Sequence, residues 1–302
     1  MEAIKRIHHI SAIVGSAQEN LDFYRNLLKL KLVKQTVNFD DPSVYHLYFS
    51  NQNYDLGTLI TFFPWENAEP GKKGSGQVGR IAFRIPKGSL DFWKKRLTNN
   101  NVVVEEKPWF EYNALYFQDI HGLDLAMVES GEANDKPDII GFHGAMLLSN
   151  DPIGSRDFLK DFMGLEDLTE NEKAYRLQTV GMEKHDLVIE NISHERGVWG
   201  PGTVHHIAWS LPDDDTELAW RDFLIQKDYH VTSVRDRKYF KSIYLRETGK
   251  VIFEFATDGP GMTVDEEFEF LGRELQLPHM YEKRREEITA NLKPLEFKDE
   301  ME

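Results

Sequence analysis

The chain has 302 residues and no cysteine, which excludes a disulfide framework, thiolate-held zinc or iron–sulfur clusters and a thiolate nucleophile. Any metal must therefore sit on histidine, carboxylate or other oxygen groups. Thirty-six Lys and Arg against 51 Asp and Glu leave a formal charge of −15 with no dense basic block, which argues against nucleic acid and anionic membranes as partners.

The start leads straight into a strand-like run without a secretory hydrophobic segment, and nowhere do about 18 apolar residues follow one another. A cytoplasmic protein is expected. The first alternating strand spans 7–14 and carries His8 and His9. A polar turn leads to a helix-like stretch over 17–28, with Leu21, Tyr24, Leu27 and Leu28 on one face. Strands over 45–49 and 58–63 follow, with Gly57 at the turn before the second. A second unit opens with a strand over 78–85 and a helix over 89–97 for which Ser89 is the expected N-cap, and Gly122 marks its last turn. The third unit places a strand over 142–149 before a helix over 155–163. The fourth has a strand over 204–211 carrying His205 and His206, a helix over 215–225, and strands over 241–246 and 250–255 joined through Thr248 and Gly249.

The four opening strands start 71, 64 and 62 residues apart, so the chain reads as one strand–helix–strands unit repeated four times. Units of this size expose apolar sheet faces and should pair to bury them. The sequence divides into a first pair over 1–130, a linker over 130–137, a second pair over 138–262, and an extension over 263–302 that is acidic, then helix-like at 281–291.

The two His-His pairs stand at the same place in units one and four. Strand alternation sends the members of each pair to opposite faces, so one of each can look into a shared cavity. Glu254 lies within an otherwise apolar strand, where an ionised carboxylate is costly unless it is paired or metal-bound. Counted from Gly57 and Gly249, Phe62 stands at the position equivalent to Glu254 and fills a fourth slot without offering a ligand. Position 8 or 9, position 205 or 206, and position 254 then form a two-histidine, one-carboxylate set with open coordination positions, as in non-haem Fe(II) oxygenases. Purely structural roles compete: Glu254 as the ion-pair partner of Arg246 or Arg237, Arg237 as the partner of Asp236 or Asp228, and Tyr244 as core packing. Histidines 46, 121, 143, 185, 194, 230 and 279 show no such convergence and read as surface or local hydrogen-bonding groups, with His185 and His194 the two expected nearest the cavity.

The segments around His8-His9-Ile10-Ser11, Tyr45–Phe49, Pro86–Leu90, His205-His206, Asp236–Tyr244 and Phe253-Glu254 carry a specific likeness. Over nearly its whole length the chain resembles the vicinal oxygen chelate superfamily of glyoxalases, bleomycin resistance proteins and extradiol dioxygenases. Within it, the chain is similar to the bacterial hydroquinone-type ring-cleaving dioxygenases associated with methylhydroquinone resistance and chlorohydroquinone breakdown. The resemblance implies an α+β fold of four βαβββ modules forming two open barrel-like cups, with a C-terminal helical tail and the active cup between modules one and four. It implies metal ligation by His9, His206 and Glu254, and roles around the metal or substrate for His8, Ser11, His205, Arg237 and Tyr244. The implied cofactor is Fe(II), with Mn(II) as the alternative and O2 as co-substrate, acting on a small aromatic diol. A homo-oligomer is compatible with the sequence. Two other functions compete on the same fold: a glyoxalase-like metal-dependent lyase, expected to need a fourth ligand near Phe62, and a non-catalytic quinone- or antibiotic-binding protein.

Overall fold

Each repeat folds as the strand and helix periodicities dictate. In the computed structural model, which describes residues 1–298, unit one runs β1 (Ile7–Val14), helix α1 (Ala17–Leu21) widening into a π-helical stretch (Asp22–Leu27), β2 (Lys31–Val37), β3 (Tyr45–Ser50) and β4 (Leu59–Pro64). Unit two runs β5 (Gln77–Pro86), α2 (Leu90–Asn99), β6 (Glu105–Glu106), β7 (Ala114–Gln118) and β8 (Asp124–Gly131). Unit three runs β9 (Gly141–Leu148), α3 (Pro152–Asp157) with a second π-helical stretch (Phe158–Phe162), β10 (Glu166–Asp167), β11 (Ala174–Gln178) and β12 (Asp186–Glu190). Unit four runs β13 (Thr203–Leu211), α4 (Asp214–Gln226), β14 (Arg235–Asp236), β15 (Lys241–Arg246) and β16 (Ile252–Thr257). The four βαβββ modules are thus present.

Local chemistry starts the helices. Ser16 is extended and its hydroxyl accepts from the Glu19 amide, and Asp213 does the same for Thr216 at the head of α4. Ser89 does hold the cap position of α2, but its hydroxyl donates to the Pro86 carbonyl at 2.5 Å instead of capping the helix.

Eight strands join in each of two sheets, in the orders β14-β15-β16-β13-β1-β4-β3-β2 and β10-β11-β12-β9-β5-β8-β7-β6. Unit one therefore lies beside unit four and unit two beside unit three, so each sheet takes one unit from each half of the sequence. The seams are antiparallel pairs of opening strands, with Ile10 opposite Ile207 in one sheet and Ile81 opposite Ala145 in the other. The outer faces of both sheets are buried under the helices: Tyr24 stacks on Phe62, and Trp220 of α4 on Phe255. The inner faces form two cups. The second is filled by Trp109 against Ala82, Ala114, Ala126, Val128 and Val188. Among the described residues no helix is long and apolar enough to cross a membrane.

The C-terminal extension runs along β2. Gln35 bonds the Gly272 carbonyl at 2.7 Å, and the fully buried Lys34 pairs with Asp265 at 2.6 Å and with Glu266. Helix α5 (Arg285–Asn291) follows a 3-10 turn (His279–Arg284), so the helix expected over 281–291 starts tighter than an α-helix. The last four residues of the expected extension, 299–302, lie outside the described residues.

Candidate metal centre

The seam between units one and four builds the site. His9 on β1 and His206 on β13 stand on either side of the Ile10–Ile207 pair, and both point into the first cup. Glu254 enters from β16, which pairs with β13 through Ala208. Three strands thereby bring together His9 Nε2, His206 Nε2 and Glu254 Oε2. The nitrogens lie 3.2 Å apart, and the oxygen is 3.2 Å from His9 Nε2 and 2.8 Å from His206 Nε2. All three side chains are buried, and Glu254 is fully so.

The other ring nitrogen fixes the tautomer of His9. His8 Nε2 faces the Thr257 carbonyl at 3.1 Å, so it must be the donor, which makes His8 Nδ1 an acceptor. That acceptor lies 2.8 Å from His9 Nδ1, which must donate, leaving His9 Nε2 with a lone pair aimed into the cup. In unit four His205 Nδ1 lies 2.7 Å from His206 Nδ1, so one of these two rings donates to the other. Burial first, and then the neighbouring His9 or His206, pushes His8 and His205 each down to about 3, so both are neutral at ordinary pH. Burial works to raise the Glu254 carboxyl, but His9 and His206 overcome it and hold the group well below the usual carboxylate range.

Two imidazole nitrogens and a carboxylate oxygen thus crowd one point, and Glu254 Oε2, buried, finds no hydrogen-bond partner there. This is the donor set of a divalent cation, and the residues fit one. The other carboxylate oxygen, Oε1, accepts from Tyr244 Oη at 2.7 Å, and Tyr244 in turn accepts from Arg237 Nε at 3.3 Å and Ser242 Oγ at 3.1 Å. Burial, and then Glu254, raises the Tyr244 hydroxyl and keeps it protonated.

A pocket of about 130 Å³ opens on the three ligands, walled by the rings of His46, Tyr48, Phe63, Trp65 and Phe240, with His205, Arg237 and Tyr244 at its polar edge. His205 lies under Trp199, the ring centres 4.9 Å apart. A larger cleft of about 750 Å³ lies elsewhere, between Asp22, Arg80 and Glu105, away from these ligands.

The candidate residues divide accordingly. His9, His206 and Glu254 converge, and His205, Arg237 and Tyr244 line their pocket. His8 sits behind His9, and Ser11 bonds Thr61 Oγ1 at 2.7 Å; neither lines the pocket. His185 instead accepts the Ile7 amide at 2.9 Å, and His194 pairs with Glu190 at 3.6 Å, so both stand apart from the site.

The equivalence of Phe62 with Glu254 fails. Glu254 pairs with Ala208, one residue beyond the seam centre Ile207, and in unit one the residue paired one beyond Ile10 is Thr61. The turn after Gly249 is one residue longer than that after Gly57, with Lys250 at φ 72°, so counting from the glycines slips by one place. Phe62 faces the opposite side and packs on Tyr24 and Phe49. His46 and Tyr48 were also missed. Their signal was the repeat itself, since Tyr48 pairs with Thr61 as Tyr244 pairs with Glu254.

Residues 6–126 match the Glyoxalase/Bleomycin resistance protein/Dioxygenase superfamily. The chain is 46% identical over 97% of its length, and 97% of the relative's, to MhqO of Bacillus subtilis, a protein named as a ring-cleaving dioxygenase. It is 32% identical, over 96% of its length and 97% of the relative's, to the chlorohydroquinone/hydroquinone 1,2-dioxygenase of Sphingobium indicum. A crystal structure from Bacillus subtilis, described as that of a dioxygenase, superposes with a TM-score of 0.95 at 44% identity, covering 99% of this chain and 100% of that one.

Proposed function

Because the chain belongs to the glyoxalase/bleomycin resistance protein/dioxygenase superfamily, we propose that it is a ring-cleaving dioxygenase that inserts both atoms of O2 into a hydroquinone-type or catechol-type diol. The observation that carries this reading is the orphaned Glu254 Oε2 beside the His9 and His206 ring nitrogens, open on an aromatic-walled pocket. His9, His206 and Glu254 hold a divalent ion, Fe(II) in this proposal with Mn(II) as the alternative, since imidazole and carboxylate suit both. Such an ion supplies Lewis acidity and electron exchange with dioxygen.

The chain's own groups do the rest. Phe63, Trp65 and Phe240 exclude water and hold a planar ring. Tyr244, whose hydroxyl proton rests on Glu254 Oε1, fixes that carboxylate and leaves Oε2 free as a ligand. The Arg237 guanidinium, held by Tyr244 and Asp40, places a fixed positive charge at the pocket edge where charge develops on the reacting oxygens. His205 is neutral and half-sheltered by Trp199. His206 engages its Nδ1, and its Nε2 is the ring nitrogen left to hold or pass a proton of the diol. The diol and one O2 become a single ring-opened acid bearing a second carbonyl, with all atoms retained. His8 and Ser11 act from behind: His8 sets the His9 tautomer, and Ser11 supports Thr61.

Thr61 weighs against the lyase alternative, because the place matching Glu254 carries a hydroxyl bonded to Ser11 and His46 and offers no second carboxylate as a fourth ligand. The test is oxygen consumption by anaerobically Fe(II)-loaded protein given hydroquinone or catechol. Uptake of one O2 per diol is expected, and product formation without uptake would sink the proposal.

A further inference from the structure

Two tyrosines face the ligands from opposite walls. Tyr244 pairs with Glu254 across β15 and β16, and Tyr48 pairs with Thr61 across β3 and β4, so the two are related through the β1–β13 seam. Tyr244 donates a hydrogen bond to a ligand, Glu254. Tyr48 instead heads a separate chain: its hydroxyl lies 3.0 Å from His46 Nδ1, His46 Nε2 lies 2.8 Å from Thr61 Oγ1, and Thr61 Oγ1 lies 2.7 Å from Ser11 Oγ.

A neutral His46 carries one ring proton, and the chain can run two ways. With the proton on Nδ1, His46 donates to Tyr48, Thr61 donates to His46, Ser11 donates to Thr61, and Tyr48 turns its own proton to the pocket. With the proton on Nε2, every bond reverses and Tyr48 shows the pocket a lone pair. Both orientations satisfy these links, so Tyr48 can meet either a hydroxyl or a carbonyl oxygen.

We propose that Tyr48 binds the ring oxygen remote from the metal, and that His46 is a positioning residue acting through it, so that together they favour 1,4-diols over 1,2-diols. The proposal rests on the ring-cleaving reading above. A 1,2-diol carries both oxygens on one edge of the ring, where both can turn to the ligand side. A 1,4-diol sends its second oxygen to the far end of the ring, and in a pocket of about 130 Å³ that oxygen must find a polar atom on the opposite wall. Tyr244 and Arg237 stand on the wall of Glu254, and His205 stands beside His206 on the seam. Tyr48 and His46 stand on the wall of Thr61. A partner able both to accept and to donate also suits an oxygen that can pass between its hydroxyl and keto forms as the ring opens.

The test measures anaerobic binding of hydroquinone and catechol by calorimetry to metal-loaded wild-type, Tyr48→Phe, His46→Leu and His46→Gln proteins. Tyr48→Phe should weaken hydroquinone about tenfold, as loss of one buried hydrogen bond does, and catechol less than about twofold, with metal content unchanged. His46→Leu should follow Tyr48→Phe, and His46→Gln, which restores a polar neighbour for the phenol, should recover most of the loss. Unchanged hydroquinone binding in Tyr48→Phe, or equal weakening of both diols, overturns the proposal. Should Tyr48→Phe fail to fold, the contrast between His46→Leu and His46→Gln decides it: equal hydroquinone affinity in the two overturns it. Wild-type protein that binds hydroquinone through Tyr48 yet consumes no oxygen defeats the ring-cleaving reading and leaves this recognition standing. Wild-type protein that binds neither diol overturns both.

Discussion

Thr61 and Glu254 occupy matching places on the two sides of one cup, and the difference between a hydroxyl and a carboxylate decides how many coordination positions stay open. Removing the carboxylate should remove the metal: in Glu254→Ala two imidazoles remain, and the metal content measured after desalting is expected to fall at least about tenfold. Adding the matching carboxylate should do the reverse. Thr61→Glu puts a fourth donor, the second anionic one, in the symmetric slot, so the bound ion should resist chelator several-fold longer than in wild type while oxygen uptake with hydroquinone is lost. Faster metal loss in Thr61→Glu, with the fold intact, would contradict the placement of that slot. The residue types of the ligand set were legible in the sequence because an anionic side chain in an apolar strand and paired histidines at repeated places are both costly without a purpose. Which member of each pair turns inward was not legible from alternation alone. It depends on two shifts in the β1–β13 pairing, one between Ile7 and His9 and one between Ser11 and Ala12 that leaves His205 unpaired, so that His205 and His206 both line the pocket.

At the scale of elements, the repeat predicted the strands and helices well, because apolar periodicity is a property of each segment by itself. Pairing between segments was harder to read. The one-residue difference between the turns at Gly57 and Gly249 hid Thr61 behind Phe62, and His46 read only as a surface or local hydrogen-bonding group because its partners, Tyr48 and Thr61, come from β3 and β4 and its bonds exist only once those strands are in register. Helix α4 carries another group that only packing reveals. Glu217 lies in its first turn, 1% exposed, with Oε1 lacking a partner, and burial followed by the nearby Asp214 pushes its carboxyl up to about 7. A carboxyl raised on folding stabilises the fold fully below its unfolded value near about 4.3, and that stabilisation is lost as pH rises through about 7. Glu217→Gln, which cannot ionise, should therefore melt above wild type at pH 8, with the gap closing by about pH 4. A gap independent of pH would show that folding does not shift the Glu217 carboxyl.

Taken whole, the molecule uses one architecture twice and leaves only the first cup open. The second cup can be compared place by place. One residue before its seam centre stand Arg80 and Gly144, where the first cup has His9 and His206; one residue beyond, the paired positions are Ala126 and Val188, where the first has Thr61 and Glu254. None of the four reproduces a ligand, and Gly144 cannot become one. A Cβ there would lie 1.9 Å from the Asp186 carbonyl, so the backbone of β12 occupies the space a histidine needs. The cavity such a cup would leave is filled by Trp109, 2% exposed, whose Nε1 donates to Asp186 at 3.3 Å. Asp186 is also bound by Arg176 at 2.9 Å and by Gln178 at 2.8 Å. The second sheet is thus a packed support whose large plug replaces a pocket. Trp109→Ala empties that plug among alanines and valines that cannot collapse to fill it, and should destabilise the protein by about 3–5 kcal/mol in denaturant unfolding. Because the metal ligands all belong to the other sheet, metal content and hydroquinone affinity of the folded variant should stay at wild-type values. Loss of metal in proportion to the lost stability would instead mean that the two cups are coupled, and that the plugged cup holds the open one in shape.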